Sequence, residues 1–274
     1  MRQKYIAFRR SSAWGVCIPE LEPHLDFFVG AFEDWLSEQP MKVFLEQPNW
    51  VAALRLPSTI RISESSSDRS AGLPVVLKRF GWRSPLHRIA RPLTGSKAIR
   101  SFRIAITLRD AGVATPRPLI AWERRGRGTI NQGYSITEEI PDAITLRQWL
   151  KSPNVLESEE TPLLTELARL VRGMHDAGVL HRDLTIGNFL VAAKPFEGNR
   201  IFLIDLSRAV HLGHVPLPFR LMDLARMKLQ ESWPDFFEVY CEGQPDWKSW
   251  QPVLNGLIRL RRWKMDFWKT IKGR

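Results

Sequence analysis

Residues 181–188, HRDLTIGN, and 204–207, IDLS, decide how this chain is read. They supply a carboxylate at Asp183, a side-chain amide at Asn188 and a second carboxylate at Asp205. An amide oxygen and a carboxylate are hard ligands of the kind Mg²⁺ takes. A further carboxylate held beside them can orient a hydroxyl and accept its proton. Asp and Asn also cap turns by bonding local backbone. Three of them, spaced in this order after a well-patterned helix, weigh against that plainer reading.

Working outward, the segment upstream is helical. Thr161-Pro162 is a good start, and Leu163, Leu164, Leu167, Leu170, Val171 and Met174 form one apolar stripe before Gly178 closes it. Downstream, 189–192 and 200–204 read as strands, and the chain from about 220 reads as helical. The earlier half differs. Residues 50–56 (WVAALRL), 59–63 (TIRIS), 73–80 (LPVVLKRF), 119–122 and 134–139 read as strands. Residues 64–72 read as a loop, and 96–110 as the one inserted helix, ended by Ala111-Gly112. Residues 19–39 read as an acidic, apolar helix after Pro23. The pattern predicts an α+β protein: an N-terminal extension over 1–40, a β-rich part over 41–140 and a mainly helical part over 141–274.

The composition narrows the function. Hydrophobic residues at 44% and charged residues at 25% fit a globular chain. Cys17 and Cys241 stand alone, with neither metal spacing nor a disulfide framework, which fits a reducing compartment. The basic N-terminus lacks the apolar run of a signal peptide, and no stretch is long enough to span a membrane. The net charge is +11. Such a field draws polyanions and repels cations. Nine Lys or Arg and no acid lie between Lys78 and Arg109, and residues 257–274 carry seven Lys or Arg and two Trp. Each could be an ordinary solvated face. The terminal segment also fits a helix lying on anionic lipid, with aromatics at headgroup level. Nucleic acid is not expected, because charge comes without a base-stacking or groove-reading motif.

His-Arg-Asp, Asn188 and Asp205, with the strand lysine Lys78 upstream, resemble the protein-kinase superfamily. More narrowly, the chain resembles the bacterial lipopolysaccharide-core kinases that act on Kdo or heptose. VVLKRF (75–80), 96–118, ITEEIPD (136–142), MHDAGVLHRDLTIGNFLV (174–191), FLIDLSRA (202–209) and RLMDLARM (220–227) carry that likeness. The resemblance implies a protein-kinase-like fold, small β-rich lobe then helical lobe, and an ATP-dependent phosphotransferase. Asp183 would be the base, and Asn188 and Asp205 would hold Mg²⁺. Lys78 would reach the ATP phosphates. Main chain at 137–140, including Glu138 and Ile140, would meet adenine. His181 would pack structurally, and Asp223 would brace the catalytic loop. The acceptor would be the lipopolysaccharide core on lipid A. The place of work would be the cytoplasmic face of the inner membrane, held peripherally on anionic lipid.

The chain departs from protein kinases in several places. No Gly-x-Gly-x-x-Gly precedes Lys78, which leaves the turn near 57–59 to cover the phosphates. Ser101 stands where a helix Glu would pair with the lysine. Leu-Ser follows Asp205 instead of Phe-Gly, and no Ala-Pro-Glu segment follows. A regulated protein kinase is therefore disfavoured. Aminoglycoside-type phosphotransferases usually have Gly where Arg182 stands, and the +11 charge would repel their cationic substrates. A kinase of another acceptor, protein or small molecule, and a pseudokinase or scaffold remain the alternatives.

Overall fold

A computed structural model of the chain describes residues 4–46, 49–60, 62, 72–80, 96–126, 129–152, 157–227 and 234–271. The chain divides into two compact units, Met1–Ile106 with Pro116–Glu139, and Thr107–Thr115 with Ile140–Arg274.

The first unit is built on strands β1 (Ile6–Arg10), β2 (Ala13–Cys17), β3 (Lys42–Leu45), β4 (Trp50–Arg55), β5 (Pro74–Phe80), β6 (Pro118–Gly126) and β7 (Thr129–Glu138). Helix α1 (Phe32–Ser37) precedes β3, and α2 (Lys97–Asp110) starts in this unit after β5. The strands form one antiparallel sheet in the order β1-β2-β6-β7-β5-β4-β3. Their β-branched and aromatic residues suit a pleated, half-buried surface. Its core is aromatic: Trp122 and Tyr134 stack with ring centroids 4.9 Å apart, and Phe32 meets Trp122 edge-on at 5.2 Å. The Tyr134 hydroxyl donates to Glu33 Oε1 at 2.7 Å. Gly15 on β2 is required sterically, since a Cβ there would come within 2.3 Å of the Phe8 ring and 2.6 Å of the Ala121 carbonyl. Ser96 caps α2, its Oγ accepting from Ile99 N at 3.1 Å.

Two sequence readings need revision. Residues 6–17 form two strands of the sheet, and the helix expected over 19–39 is split into a 3-10 turn (Pro19–His24), a π turn (Phe27–Ala31) and α1. Pro19 and Pro23 withhold main-chain donors, and both Phe28 and Phe32 are buried. Secondly, 59, 60 and 62 are not in a strand. Ile60 N closes a turn on Pro57 O at 2.9 Å, and Ile60 and Ile62 are buried as irregular chain. Residues 61 and 63 of that expectation lie outside the described residues, as do 64–71 of the loop and 81–95 of the basic segment.

The second unit contains β8 (Ala143–Thr145), α3 (Leu146–Trp149), α4 (Glu157–Asp176), β9 (Val179–Leu180), β10 (Phe189–Phe196), β11 (Asn199–Leu203), β12 (Val210–His211), α5 (Leu217–Met227), α6 (Pro234–Tyr240) and α7 (Gln251–Ile271). A capping box between Thr145 and Gln148 starts α3. The stripe read on α4 is buried at all six positions. The helix begins before Thr161, so Pro162 lies inside it. At Gly178 φ is +75°, and a Cβ would meet the Gly213 carbonyl at 2.6 Å, so the turn from α4 into β9 admits only glycine. β11-β10-β8 and β12-β9 are small antiparallel sheets. They frame the loops that carry Asp183, Asn188 and Asp205.

Candidate active site

The loop after β9 is held from below by Asp223 on α5. Its side chain is fully buried. One carboxylate oxygen accepts from His181 N at 2.7 Å and the other from Arg182 N at 3.0 Å. Arg226 Nη1 lies 3.2 Å from the second oxygen, and His175 Nε2 is 3.6 Å from the first. Main-chain donors and a guanidinium thus satisfy a carboxylate that burial alone would penalise heavily. With that anchor the backbone at Arg182 adopts φ +67°, which a residue with a Cβ takes only under constraint. Leu184, fully buried, pins the far side of the loop.

His181 is buried and bridges to the second loop, its Nε2 lying 3.2 Å from Ile204 O. That contact requires the proton on Nε2. Burial lowers its pKa, against the pull of the Ile204 carbonyl and of Asp223, Asp205 and Asp183, so the ring is neutral. The ring is packed away from solvent.

Asn188 draws the three polar residues together. Its Nδ2 donates to Asp183 O at 2.7 Å, and its own carbonyl accepts from Ile204 N at 2.9 Å. The amide's oxygen end is thereby left as the acceptor. Asp205 follows Ile204 with φ +56°, so its half-buried carboxylate springs from a left-handed turn into the short 3-10 segment Leu206–Arg208. Asp183 is partly exposed and pairs with Arg208 Nη1 at 3.1 Å. Among the described residues no group of three or more His, Cys, Asp or Glu side chains could hold a metal. An amide oxygen and one carboxylate are nevertheless the sparse protein set that Mg²⁺ uses when nucleotide phosphates and water complete its shell.

The structure brings His181, Asp183, Asn188, Asp205 and Asp223 together within the second unit. Lys78 and Glu138 belong to the first. Lys78 lies half-buried on β5, paired in register with Val51 and Ser135, its Nζ 5.3 Å from the Phe80 ring centroid. Glu138 ends β7, its N–H donating to Arg117 O at 2.9 Å, with Arg117 also 3.6 Å from its carboxylate. Ile140 opens the second unit and is buried with Ala192 and Phe202. Ser101 on α2 turns its hydroxyl back onto Lys97 O at 2.7 Å.

Three site residues were not singled out from sequence. Arg208 had a signal, being third after Asp205, but no role. His175 donates or accepts at Nδ1 with the Tyr240 hydroxyl at 2.7 Å, and only its place on the buried face of α4 marks it. Arg226 was one cation among many.

A family model described as lipopolysaccharide kinase (Kdo/WaaP) matches residues 81–240. A 3-deoxy-D-manno-octulosonic acid kinase of Vibrio parahaemolyticus is 31% identical over 231 residues, 80% of this chain and 88% of that protein. The lipopolysaccharide core heptose(I) kinase WaaP of Escherichia coli is 33% identical over 135 residues, 46% of this chain and 50% of that protein. A 3-deoxy-D-manno-octulosonic acid kinase of Vibrio cholerae is 31% identical over 119 residues, 43% of this chain. The chain spans about half the length of the last two relatives, 50% and 47%. Among solved structures, WaaP in complex with acyl carrier protein superposes with a TM-score of 0.58 at 21% identity, covering 87% of this chain and 95% of that one. The fold is therefore the α+β, protein-kinase-like fold of WaaP.

Proposed function

The chain belongs to the lipopolysaccharide kinase (Kdo/WaaP) family, and from that premise we propose that it transfers the γ-phosphate of ATP to a sugar hydroxyl, of Kdo or heptose, in the lipopolysaccharide inner core. The observation that carries this reading is the Asn188 link. Its side-chain amide fixes the backbone of Asp183 and its main-chain carbonyl holds Ile204 N at the start of the Asp205 turn, so a base and two hard ligands would share one frame.

Phosphoryl transfer asks little covalent chemistry of a protein and much positioning. Asp183 orients the acceptor hydroxyl and takes its proton. Asn188 Oδ1 and the Asp205 carboxylate would hold Mg²⁺, which when bound neutralises charge on the phosphate oxygens. Lys78 would pair with the α- and β-phosphates as a point charge. Main chain from Glu138 to Ile140, where the chain leaves the first unit for the second, would receive adenine. Asp223 and His181 keep the two loops in place without touching substrate.

The acceptor is a lipid, and α7 supports a peripheral position on anionic membrane at the cytoplasmic face of the inner membrane. Val253, Leu260 and Trp263 are exposed on it, the last at 64%, on the helix that carries Arg259, Arg261, Arg262 and Lys264. No described helix is long and apolar enough to cross a membrane.

The test is purified protein with Mg²⁺, labelled ATP and lipopolysaccharide, wild type against Asp183→Asn. The variant should transfer phosphate about 10²–10⁴ times more slowly, the usual weight of a general base, while still binding Mg-ATP. Transfer by the variant at the wild-type rate would remove Asp183 from the role of base. No transfer to lipopolysaccharide by wild type would remove the acceptor.

A further inference from the structure

We propose that Arg208 forms a subsite for an anionic group of the acceptor, a carboxylate or a phosphate ester, next to the hydroxyl that Asp183 engages. The inference rests on the kinase reading above and names the feature of the acceptor that the site recognises.

Arg208 closes the 3-10 turn that starts at Asp205. Leu206, Ser207 and Ala209 are buried, so the turn is pinned on both sides and Arg208 alone projects, its side chain 54% exposed. Among the described residues its charged partner is Asp183, met through a single nitrogen at 3.1 Å. The guanidinium has five N–H donors in a planar fork, and one such contact leaves most of them unused. That fork matches the two oxygens of a carboxylate or phosphate better than any other side chain does.

An ion pair between two solvent-exposed groups contributes little and is readily exchanged. Asp183 must in any case offer an oxygen to the acceptor hydroxyl. An anion arriving at the Arg208 fork draws the guanidinium off Asp183 Oδ2 and leaves that oxygen for the hydroxyl. Binding of the right acceptor and release of the base then become one event.

The surroundings are positive. On α7, Arg261 is felt by Arg226, Asp183 and Asp223. Packing around it and the like charge of Arg226 lower its pKa, while the two carboxylates raise it. Arg208 pairs with Asp183 and Arg226 with Asp223, whose carboxylate is already occupied by main-chain donors. An acidic sugar, or a sugar beside a phosphate, supplies the matching group.

The test is calorimetric binding of deacylated lipopolysaccharide to wild type, Arg208→Ala and Arg208→Lys, with phosphate transfer measured in parallel. Carboxyl-reduced and dephosphorylated derivatives are titrated alongside. Arg208→Ala should weaken binding of the native ligand by roughly 10- to 100-fold, as loss of a charge-assisted hydrogen bond implies, with Arg208→Lys between. Affinity for a non-hydrolysable Mg-ATP analogue should not move. The derivative that wild type and Arg208→Ala bind equally identifies the anion. Unchanged acceptor affinity in Arg208→Ala, with only the turnover rate lowered, would overturn the subsite and assign Arg208 to the transferring phosphate. Wild type that neither binds nor phosphorylates lipopolysaccharide would overturn the acceptor itself, and the subsite with it.

Discussion

The sheet of the first unit and the loops around Asp183 in the second are held in place by opposite means. The sheet is held by close apolar contact, with Trp122, Tyr134, Phe28 and Phe32 packed ring to ring and Gly15 leaving room for Phe8. The loops around Asp183 have little apolar mass. They are held by a buried carboxylate with four neighbours, a neutral buried histidine, and Asn188, whose side chain bonds Asp183 O and whose main-chain carbonyl bonds Ile204 N. Area-driven packing is tolerant of chemistry and sensitive to volume, whereas a buried polar network is sensitive to every single atom.

That contrast can be broken most directly at Asp223. Asp223→Ala leaves the amides of His181 and Arg182 and the Arg226 guanidinium without their buried acceptor. It should cost about 3–5 kcal/mol of unfolding free energy, the scale for removing one side of a buried charge pair. Phosphate transfer should fall further than the residual folded fraction explains, because the loop loses its anchor. A urea melt beside an activity assay checks both. Wild-type activity with an unchanged midpoint would show the network to be incidental.

A smaller effect is expected in the sheet. Gly15→Ala forces a methyl against the Phe8 ring and the Ala121 carbonyl. Overpacking of this kind costs about 1–3 kcal/mol. The Phe8 ring can shift but the carbonyl cannot. The variant's thermal midpoint should fall while the KM for acceptor stays constant. A change in acceptor KM with no loss of stability would mean that the two regions are not separable in this way.

The smallest and most diagnostic difference is in pH. His175 and His181, both of the second unit, are buried, and burial lowers their pKa. A base whose folded pKa is depressed gains protons first in the unfolded chain, so its stabilisation is present above the unfolded value near 6.5 and lost as pH falls below it. Cys17, on β2 of the sheet, has its thiol pushed up to about 12 by burial, with Glu22 and Glu20 adding to it. The folded thiol keeps its proton where the unfolded one, near 9, gives it up, so stability declines as pH rises from 9 towards 12. Cys241 in the second unit adds to that alkaline loss, pushed up to about 11. Each group contributes at most about 1.4 kcal/mol per pH unit. Urea midpoints between pH 5 and 10.5 should therefore fall on both sides, and Cys17→Ala should flatten only the alkaline limb.

The same contrast governs what the sequence made legible. Asp183, Asn188, Asp205 and Asp223 stood out because their spacing across short loops leaves few ways to arrange them, and the structure places them in one unit with the buried His181. In the sheet, β1 and β2 escaped notice because both are short, IAFRR ending in two arginines and AWGVC interrupted by Gly15. Their pairing depends on the distant β6, and no local period reports a partner a hundred residues away. The 59–62 stretch misled in the opposite sense, since β-branched residues also bury well in irregular chain. Arg208 was visible but mute: its meaning lies in a contact with Asp183 that only folding creates.

Arg182 and Asp205, the non-glycine residues at the turns beside Asp183 and Leu206, both sit in left-handed backbone. Each spends about 1–3 kcal/mol of conformational free energy that the rest of the unit must outweigh. In terms of sequence variation, these are the positions with the narrowest choice. Glycine, asparagine and aspartate relieve such a backbone most readily, and none of them carries a guanidinium. A lineage that relaxed Arg182 for the sake of heat resistance would gain an easier loop and lose an exposed guanidinium next to Asp183 in sequence.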